Sequence, residues 1–242
     1  GRDDRDATSV DAPVDDYRGE AARPLDGIVV GVPAEYFPAS LDPRLKQKCD
    51  AALAVLRQLG AEVRDVTLPH TELAIPVYYI LAPAEASSNL ARFDGVRYGL
   101  REQADDVRSM YEHTRTVGFG AEVTRRIILG TYVLSQGHYD AYYLKAMRVR
   151  EKITEDFSRV FSSGVHVLFT PTAPSPAFGF GAKSDPIEMY LSDIFTATAN
   201  LAGVPAMSQP IGLVDGMPVG GQLIAAHLRE ADMFRVAYAL ER

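Results

Sequence analysis

Apolar and polar positions in the first part of the chain alternate between the periods of strands and helices. The segment GIVVGVP (27–33) is a β-branched apolar run and predicts a strand. Asp42-Pro43 then opens a helical pattern, in which Asp42 is placed to cap free amides and Gly60 suits a left-handed helix end. The alternating segment AEVRDVTLP (61–69) predicts a second strand. This order is that of a βαβ-like unit, which favours a sheet covered by helices.

The middle of the chain, residues 71–162, has an almost wholly helical pattern. Its last part carries apolar residues at helical spacing on one stripe, namely Tyr139, Tyr142, Ala146, Val149, Ile153, Phe157 and Phe161. We therefore predict one long helix from His138 to Phe161.

The last third of the chain returns to strand patterns. VHVLFTP (165–171) is a continuous apolar run, which predicts a central strand buried on both faces. Residues 171–186 have Pro and Gly without a helical period, so we expect a surface loop at the carboxyl end of that strand, where sites of α/β folds commonly lie. The tail predicts a helix over 187–201, strands near 205–211 and 218–225, and a helix over 230–241.

These elements predict an α/β fold with a mixed β-sheet covered by helices. No internal repeat and no linker rich in Gly and Ser divides the sequence. We therefore predict a single domain over residues 1–242, with residues 1–24 as a polar connecting segment.

Composition and charge exclude several classes of protein. With 47% apolar and 24% charged residues, the chain has an ordinary globular composition. No apolar run approaches the length of a membrane span and no signal-peptide core is visible, so we expect no membrane association and a cytoplasmic location. A net charge of −7 argues against direct binding of nucleic acid, because phosphate binding needs a concentrated basic surface.

Motifs for metal, nucleotide and serine chemistry are lacking. The five histidines lie far apart and the lone Cys49 sits in a helical pattern as a passive residue, so no metal site is predicted. Neither a phosphate-binding glycine loop nor a G-x-S-x-G nucleophile elbow is present. The adjacent serines Ser87-Ser88 and Ser162-Ser163 stand in ordinary helical settings, so neither pair is expected to supply a nucleophile.

Three separated stretches carry a family resemblance: FDGVRYG (93–99), RRIILGTYVLSQGHYDAYYLKA (125–146) and MYLSDIFTATANLAGVPAMSQPIGLVDGMPVGGQLIA (189–225). Together they resemble the C-terminal half of the amidase-signature enzymes, most closely the A (glutaminase) subunit of aspartyl/glutamyl-tRNA(Asn/Gln) amidotransferases. That family cuts amides with a serine, activated through a second serine and a lysine, on a Gly/Ser-rich segment of its N-terminal half. Since no such segment occurs here, we expect a C-terminal portion of one amidase-signature domain, without the catalytic half.

The resemblance also implies three substrate-binding residues. The arginine that would hold the α-carboxylate of glutamine matches Arg126, and the aspartate for its α-ammonium matches Asp193. Arginine suits the first task because its planar fork can donate two parallel hydrogen bonds. Tyr78 matches a tyrosine that borders the glutamine site, with Tyr79 as the alternative register. From the residues alone, a pairing of Arg126 with Asp193, solvated helix faces and a packing role for the tyrosine stay open.

One motif departs from the family pattern. PVGGQLIA (218–225) has Gly221 where the family's P-x-G-L-Q has a leucine. The change leaves a smaller side chain beside Gln222, so we expect different local packing there.

By the same resemblance, the whole enzyme hydrolyses glutamine and passes the ammonia to a partner subunit that converts Glu-tRNA(Gln) into Gln-tRNA(Gln). ATP and Mg²⁺ are expected in that partner and no cofactor in this chain. The implied assembly is a heterotrimer with partner subunits B and C, in which tRNA contacts this chain only through the complex. We expect this chain alone to be inactive. The alternatives are a stand-alone amidase-signature amidohydrolase acting on small amides, and a non-catalytic scaffold or binding module.

Overall fold

The computed structural model describes residues 1–183, 185 and 189–242. The chain divides into two compact units. We call Gly1–Glu72 with Ile153–Arg242 the sheet unit, and Leu73–Lys152 the helical unit. The single domain over residues 1–242 stays a prediction.

The sheet unit is built on a five-stranded mixed sheet, in the order β2-β1-β3-β5-β4. Its strands are β1 (Val29–Pro33), β2 (Glu62–Val66), β3 (Val167–Pro171), β4 (Ala206–Val214) and β5 (Met217–Ala225). β1 pairs in parallel with β2 and β3, whereas β5 is antiparallel to both β3 and β4. The mixed sheet flanked by helices confirms the predicted fold class.

The strand predicted to be central, β3, lies in the middle of the sheet. All five of its residues are buried. A strand covered on both faces has no reason to alternate, which explains the continuous apolar run in its sequence.

Several helices of the described part of the chain contribute to the sheet unit, wholly or in part. They are α1 (Tyr17–Ala21), α2 (Pro43–Gln58), α6 (Lys145–Ser162, which begins in the helical unit), α7 (Ile194–Ala202) and α8 (Glu230–Glu241). Residues 187 and 188, where the helix before Asn200 was predicted to begin, lie outside the described residues. The predicted strands and last helix of the tail are confirmed.

Both predicted ends of α2 are confirmed. The side chain of Asp42 accepts a hydrogen bond from the amide of Arg44 at 2.8 Å, which satisfies one free donor of the first turn. Gly60 follows the helix with φ +97°, and the amide of Ala61 donates to the carbonyl of Leu56 at 3.0 Å. This closing pattern is a Schellman motif, for which glycine is favoured.

Gly221 is compensated by an aromatic ring. A Cβ at this position would lie 2.7 Å from the ring of Phe169 and 3.0 Å from the side chain of Ile211. Phe169 is fully buried on the neighbouring strand β3, directly beside β5. The ring thus occupies the space into which a larger side chain would project.

The helical unit contains α3 (Ala74–Leu90), α4 (Val107–Gly118), α5 (Ala121–Val133) and a π-helical stretch over Tyr139–Leu144 that runs into α6. α3 and α5 approach closely at Gly130, where an added Cβ would lie 2.0 Å from the carbonyl oxygen of Pro83. Only glycine, which has no side chain, permits the two helices to approach this closely. The close approach brings residues of α3 beside residues of α5.

The predicted long helix from His138 was wrong in its first part. Residues 139–144 form a π-helix, and Tyr139 and Tyr142 are 41% and 44% exposed. Ala146, Ile153 and Phe157 of the same stripe are buried, in the α-helical part. The wider π turn changes the angle between successive residues, so a stripe drawn at 3.6 residues per turn does not continue through it. No helix in the described part of the chain is long and apolar enough to cross a membrane.

Candidate functional site

Arg126 lies on α5 and is held at two points. Its Nε donates to Oε1 of Glu122 at 2.9 Å, one turn earlier on the same helix. Its Nη1 donates to the hydroxyl of Tyr78 on α3 at 3.0 Å. The side chain is 31% exposed, so the guanidinium is braced from within the helical unit and still reachable from solvent.

These two contacts leave part of the guanidinium unoccupied. A guanidinium has N–H donors on Nε, Nη1 and Nη2. Within the described part of the chain, Nη2 carries no hydrogen bond, and Nη1 has a donor to spare beyond Tyr78. The hydrogen bonds that Arg126 donates to Glu122 and then to Tyr78 raise its pKa above the ordinary value, so the group is a permanent cation. The arrangement suits an incoming carboxylate, which can accept two parallel hydrogen bonds.

Of the two candidate tyrosines, Tyr78 makes the hydrogen bond to Arg126. The rings of Tyr78 and Tyr79 meet edge to face, with centroids 4.9 Å apart. The guanidinium carbon of Arg126 lies 6.0 Å from the first ring centroid and 5.9 Å from the second. Both rings therefore lie beside the arginine, and the hydroxyl of Tyr78 accepts a hydrogen bond from it.

Asp193 belongs to the sheet unit, where it ends the 3₁₀ turn Leu191–Asp193 and precedes α7. Its side chain does not cap that helix, and the residue is exposed. No ion pair or hydrogen bond to its carboxylate is found among residues 1–183, 185 and 189–242. A carboxylate that the described residues leave unpaired is available to a cationic group from outside. The structure thus brings Tyr78 and Arg126 together, while Asp193 is described in its own unit.

Side-chain contacts tie the turn that carries Asp193, and the helix after it, to their surroundings. The ammonium of Lys183 donates to the hydroxyl of Ser192 at 2.5 Å and also lies 4.2 Å from the ring centroid of Phe178. Further along α7, the buried hydroxyls of Thr198 and Tyr36 are hydrogen-bonded to each other. These contacts fix the approach to α7 on one side and its body on the other.

A cleft of ≈ 500 Å³ opens beside this turn in the sheet unit. Its walls include Leu191, Ile194 and Phe195, together with the carboxylates Glu35 and Glu72. The cleft is large enough for a small metabolite, and its acid groups favour a cationic one.

In each of the two adjacent serine pairs, one hydroxyl donates a hydrogen bond to a backbone carbonyl. Ser87 donates to Ala84 at 2.9 Å and Ser163 to Val160 at 2.7 Å. Ser135 lies 3.1 Å from Nδ1 of His138, but its proton goes to the carbonyl of Tyr132 at 2.7 Å. A serine that donates to a carbonyl is not activated by a base. Within the described residues, no group of three His, Cys, Asp or Glu side chains could hold a metal ion.

Glu122 and Lys183 were missed by the sequence analysis. Glu122 was recognisable in principle, because an acid four residues before an arginine on a helix forms an ion pair. Lys183 carries no comparable signal, because its partner Ser192 lies nine residues further along the chain, a spacing that does not bring two residues together on one helix.

Residues 1–234 match the family named Amidase. The chain belongs to this family. Its similar relatives include the A subunit of the glutamyl-tRNA(Gln) amidotransferase of Methylococcus capsulatus, 53% identical over 100% of this chain and 50% of the relative. The corresponding protein of Methylorubrum populi is 50% identical with the same coverage. The chain thus spans about half the length of the curated relatives it matches.

Solved structures agree with this assignment. The A subunit of glutamyl-tRNA(Gln) amidotransferase from Thermotoga maritima superposes with a TM-score of 0.77 at 40% identity, over 100% of this chain and 48% of that protein. A bacterial aryl acylamidase of the amidase signature family gives a TM-score of 0.73 at 20% identity, over 100% of this chain and 48% of that one. The second likeness concerns the fold alone.

Proposed function

We propose that this chain supplies the glutamine-binding side of the glutaminase subunit of a tRNA-dependent amidotransferase. The whole enzyme would hydrolyse glutamine and deliver the ammonia for converting Glu-tRNA(Gln) into Gln-tRNA(Gln). The observation that carries the proposal is Arg126, a braced cation with donors to spare, in a chain 53% identical to a relative of that name. A stand-alone amidase acting on simple amides has no need of a fixed cation for an α-carboxylate.

In this proposal Arg126 binds the α-carboxylate of glutamine and Asp193 its α-ammonium. Tyr78 holds the guanidinium and borders the substrate. The unpaired state of the Asp193 carboxylate and the unoccupied Nη2 of Arg126, both within the described residues, support these roles, because each charge then gains its partner from the substrate.

The reaction that fits this substrate is acyl transfer. A serine attacks the side-chain amide, ammonia leaves, and water releases glutamate from the acyl-enzyme. We place the serine, its partner serine and the lysine outside these 242 residues. The residues described here would fix both α-groups and thereby the amide carbon, and such orientation contributes several orders of magnitude to a rate.

The remaining parts of the assembly belong to other chains in this proposal. Partner subunits B and C complete a cytoplasmic heterotrimer, and the partner that converts Glu-tRNA(Gln) uses ATP and Mg²⁺. The net charge of −7 supports tRNA binding through those partners rather than by this chain.

The experiment that tests the proposal compares ammonia release by three samples: the purified 242-residue chain, the full-length protein, and the complete heterotrimer of the full-length protein with its two partners. Each receives glutamine and, separately, butanamide, which lacks both α-groups. We expect release from glutamine by the heterotrimer, little from butanamide, and none from the chain. Release by the chain alone would place a nucleophile within these residues, and a preference for butanamide would favour the stand-alone amidase.

A further inference from the structure

We propose that Glu122 is a positioning residue that sets the guanidinium of Arg126 for a substrate carboxylate. The inference rests on the proposed function and deepens it, because it names what makes Arg126 a selective site. Glu122 does not touch the substrate in this account. It acts through the arginine.

Two fixed points orient the guanidinium of Arg126. Glu122 holds Nε at 2.9 Å and Tyr78 holds Nη1 at 3.0 Å, so rotation of the planar group about either contact alone is blocked by the other. The two partners come from different helices, Glu122 from α5 and Tyr78 from α3. Loss of Glu122 would leave the long arginine side chain with a single hydrogen bond.

The other oxygen of the Glu122 carboxylate accepts a hydrogen bond from a second arginine, Arg125, which lies outside the candidate site. Oε2 of Glu122 accepts this bond from Nη1 of Arg125 at 2.5 Å, while Oε1 serves Arg126. Arg125 is 58% exposed, and among the described residues it donates to Glu122 and not to Tyr78, so it shares the carboxylate without sharing the tyrosine. The chain therefore offers a matched control beside the residue in question.

The consequence of this bracing is a lower entropic cost when substrate binds. Ordering a flexible side chain on binding weakens affinity by up to about tenfold. Because Glu122 already orders the side chain of Arg126 in the free enzyme, that entropy is not lost when the substrate binds. We therefore expect Glu122→Ala to raise the KM for glutamine by about tenfold, with kcat changed by less than about twofold.

The negative charge of Glu122 weakens the binding of glutamine, whereas its positioning of Arg126 strengthens it. Substitutions of Glu122 can therefore distinguish these two effects. A carboxylate beside Arg126 weakens its attraction for the carboxylate of glutamine. If that were the main role, both Glu122→Ala and Glu122→Gln would lower the KM. If Glu122 positions the arginine, Glu122→Gln keeps an oxygen acceptor for Nε and its KM stays near that of the unaltered enzyme.

The test is steady-state ammonia release by the assembled amidotransferase carrying Glu122→Ala, Glu122→Gln, Arg125→Ala or Arg126→Ala. Glutamine is compared with 4-aminobutanamide, which has the same chain without the α-carboxylate. We expect the KM increase only for Glu122→Ala and Arg126→Ala, and only with glutamine. An unchanged or lower KM in Glu122→Ala overturns the proposal, as does an equal increase in Arg125→Ala or an equal increase with 4-aminobutanamide.

The same data distinguish failure of this inference from failure of the proposed function. No ammonia from glutamine with the unaltered assembly, or an unchanged KM in Arg126→Ala, refutes the role of Arg126 itself. A raised KM in Arg126→Ala together with an unchanged KM in Glu122→Ala refutes only the positioning role of Glu122.

Discussion

Gly130 is the position at which a single methyl group should disturb the helical unit most. Gly130→Ala places a Cβ 2.0 Å from the carbonyl oxygen of Pro83. That oxygen is backbone and cannot rotate away as a side chain can. α5 and α3 would have to separate locally by roughly 1.4 Å before the contact becomes ordinary van der Waals packing.

The expected magnitude follows from two opposing effects. Overpacking a close contact costs about 1–3 kcal/mol, and a clash with backbone belongs at the upper end. Alanine in place of glycine inside a helix stabilises by about 1 kcal/mol. We therefore expect Gly130→Ala to lower the free energy of unfolding by about 2 kcal/mol.

Urea unfolding of the chain, followed by circular dichroism, measures this change. Thr131→Ala is the matched control, because Thr131 is the next residue of the same helix, is exposed, and gains alanine without a clash. We expect its stability to change by less than about 0.5 kcal/mol. A Gly130→Ala chain as stable as the control would refute the close approach of the two helices.

Three further predictions concern the sheet unit. Gly221→Leu should lower the melting temperature, because its side chain meets the ring of Phe169, and Phe169→Ala in the same chain should recover part of the loss; additive losses would contradict the packing described. Burial raises the pKa of the Cys49 thiol to about 12, so in the folded chain at pH 8 a disulfide reagent should react only after urea is added, and prompt reaction without urea would show an accessible thiolate. Burial likewise raises the pKa of Tyr36 to about 12, above about 10 for an exposed tyrosine. The unfolded chain then loses this proton first, so the contribution of Tyr36 to stability is complete below pH 10 and declines towards pH 12. Urea titrations of Tyr36→Phe should show a shallower decline over that range, and an equal decline would mean that Tyr36 is not the group responsible.

Much of the sheet unit was predictable because its signals are local. The apolar run of β3, the Asp42 cap and the glycine after α2 each act within a few residues, and the structure confirms them. The periodicity of the tail gave the strands β4 and β5 for the same reason.

The details of the candidate site depend on contacts that sequence spacing does not reveal. Tyr78 and Arg126 stand 48 residues apart and meet only because Gly130 lets α5 approach α3. The π-helix before α6 has more residues per turn than an α-helix, so the apolar stripe predicted with one constant period does not continue through it. Glu122 is the exception: its spacing of four residues from Arg126 is a local signal of an ion pair, which the sequence analysis did not use.

The measurement that tests the central claim most directly removes the side chain of Arg126 and the α-carboxylate of the substrate, separately and together, and compares the losses in kcat/KM. The assembled enzyme and its Arg126→Ala variant are compared for kcat/KM of ammonia release from glutamine and from 4-aminobutanamide. The account predicts that the substitution lowers kcat/KM for glutamine by roughly 100-fold, the loss of a paired carboxylate, and leaves that for 4-aminobutanamide within about threefold. An equal loss with both substrates would contradict the claim that Arg126 binds the α-carboxylate of glutamine.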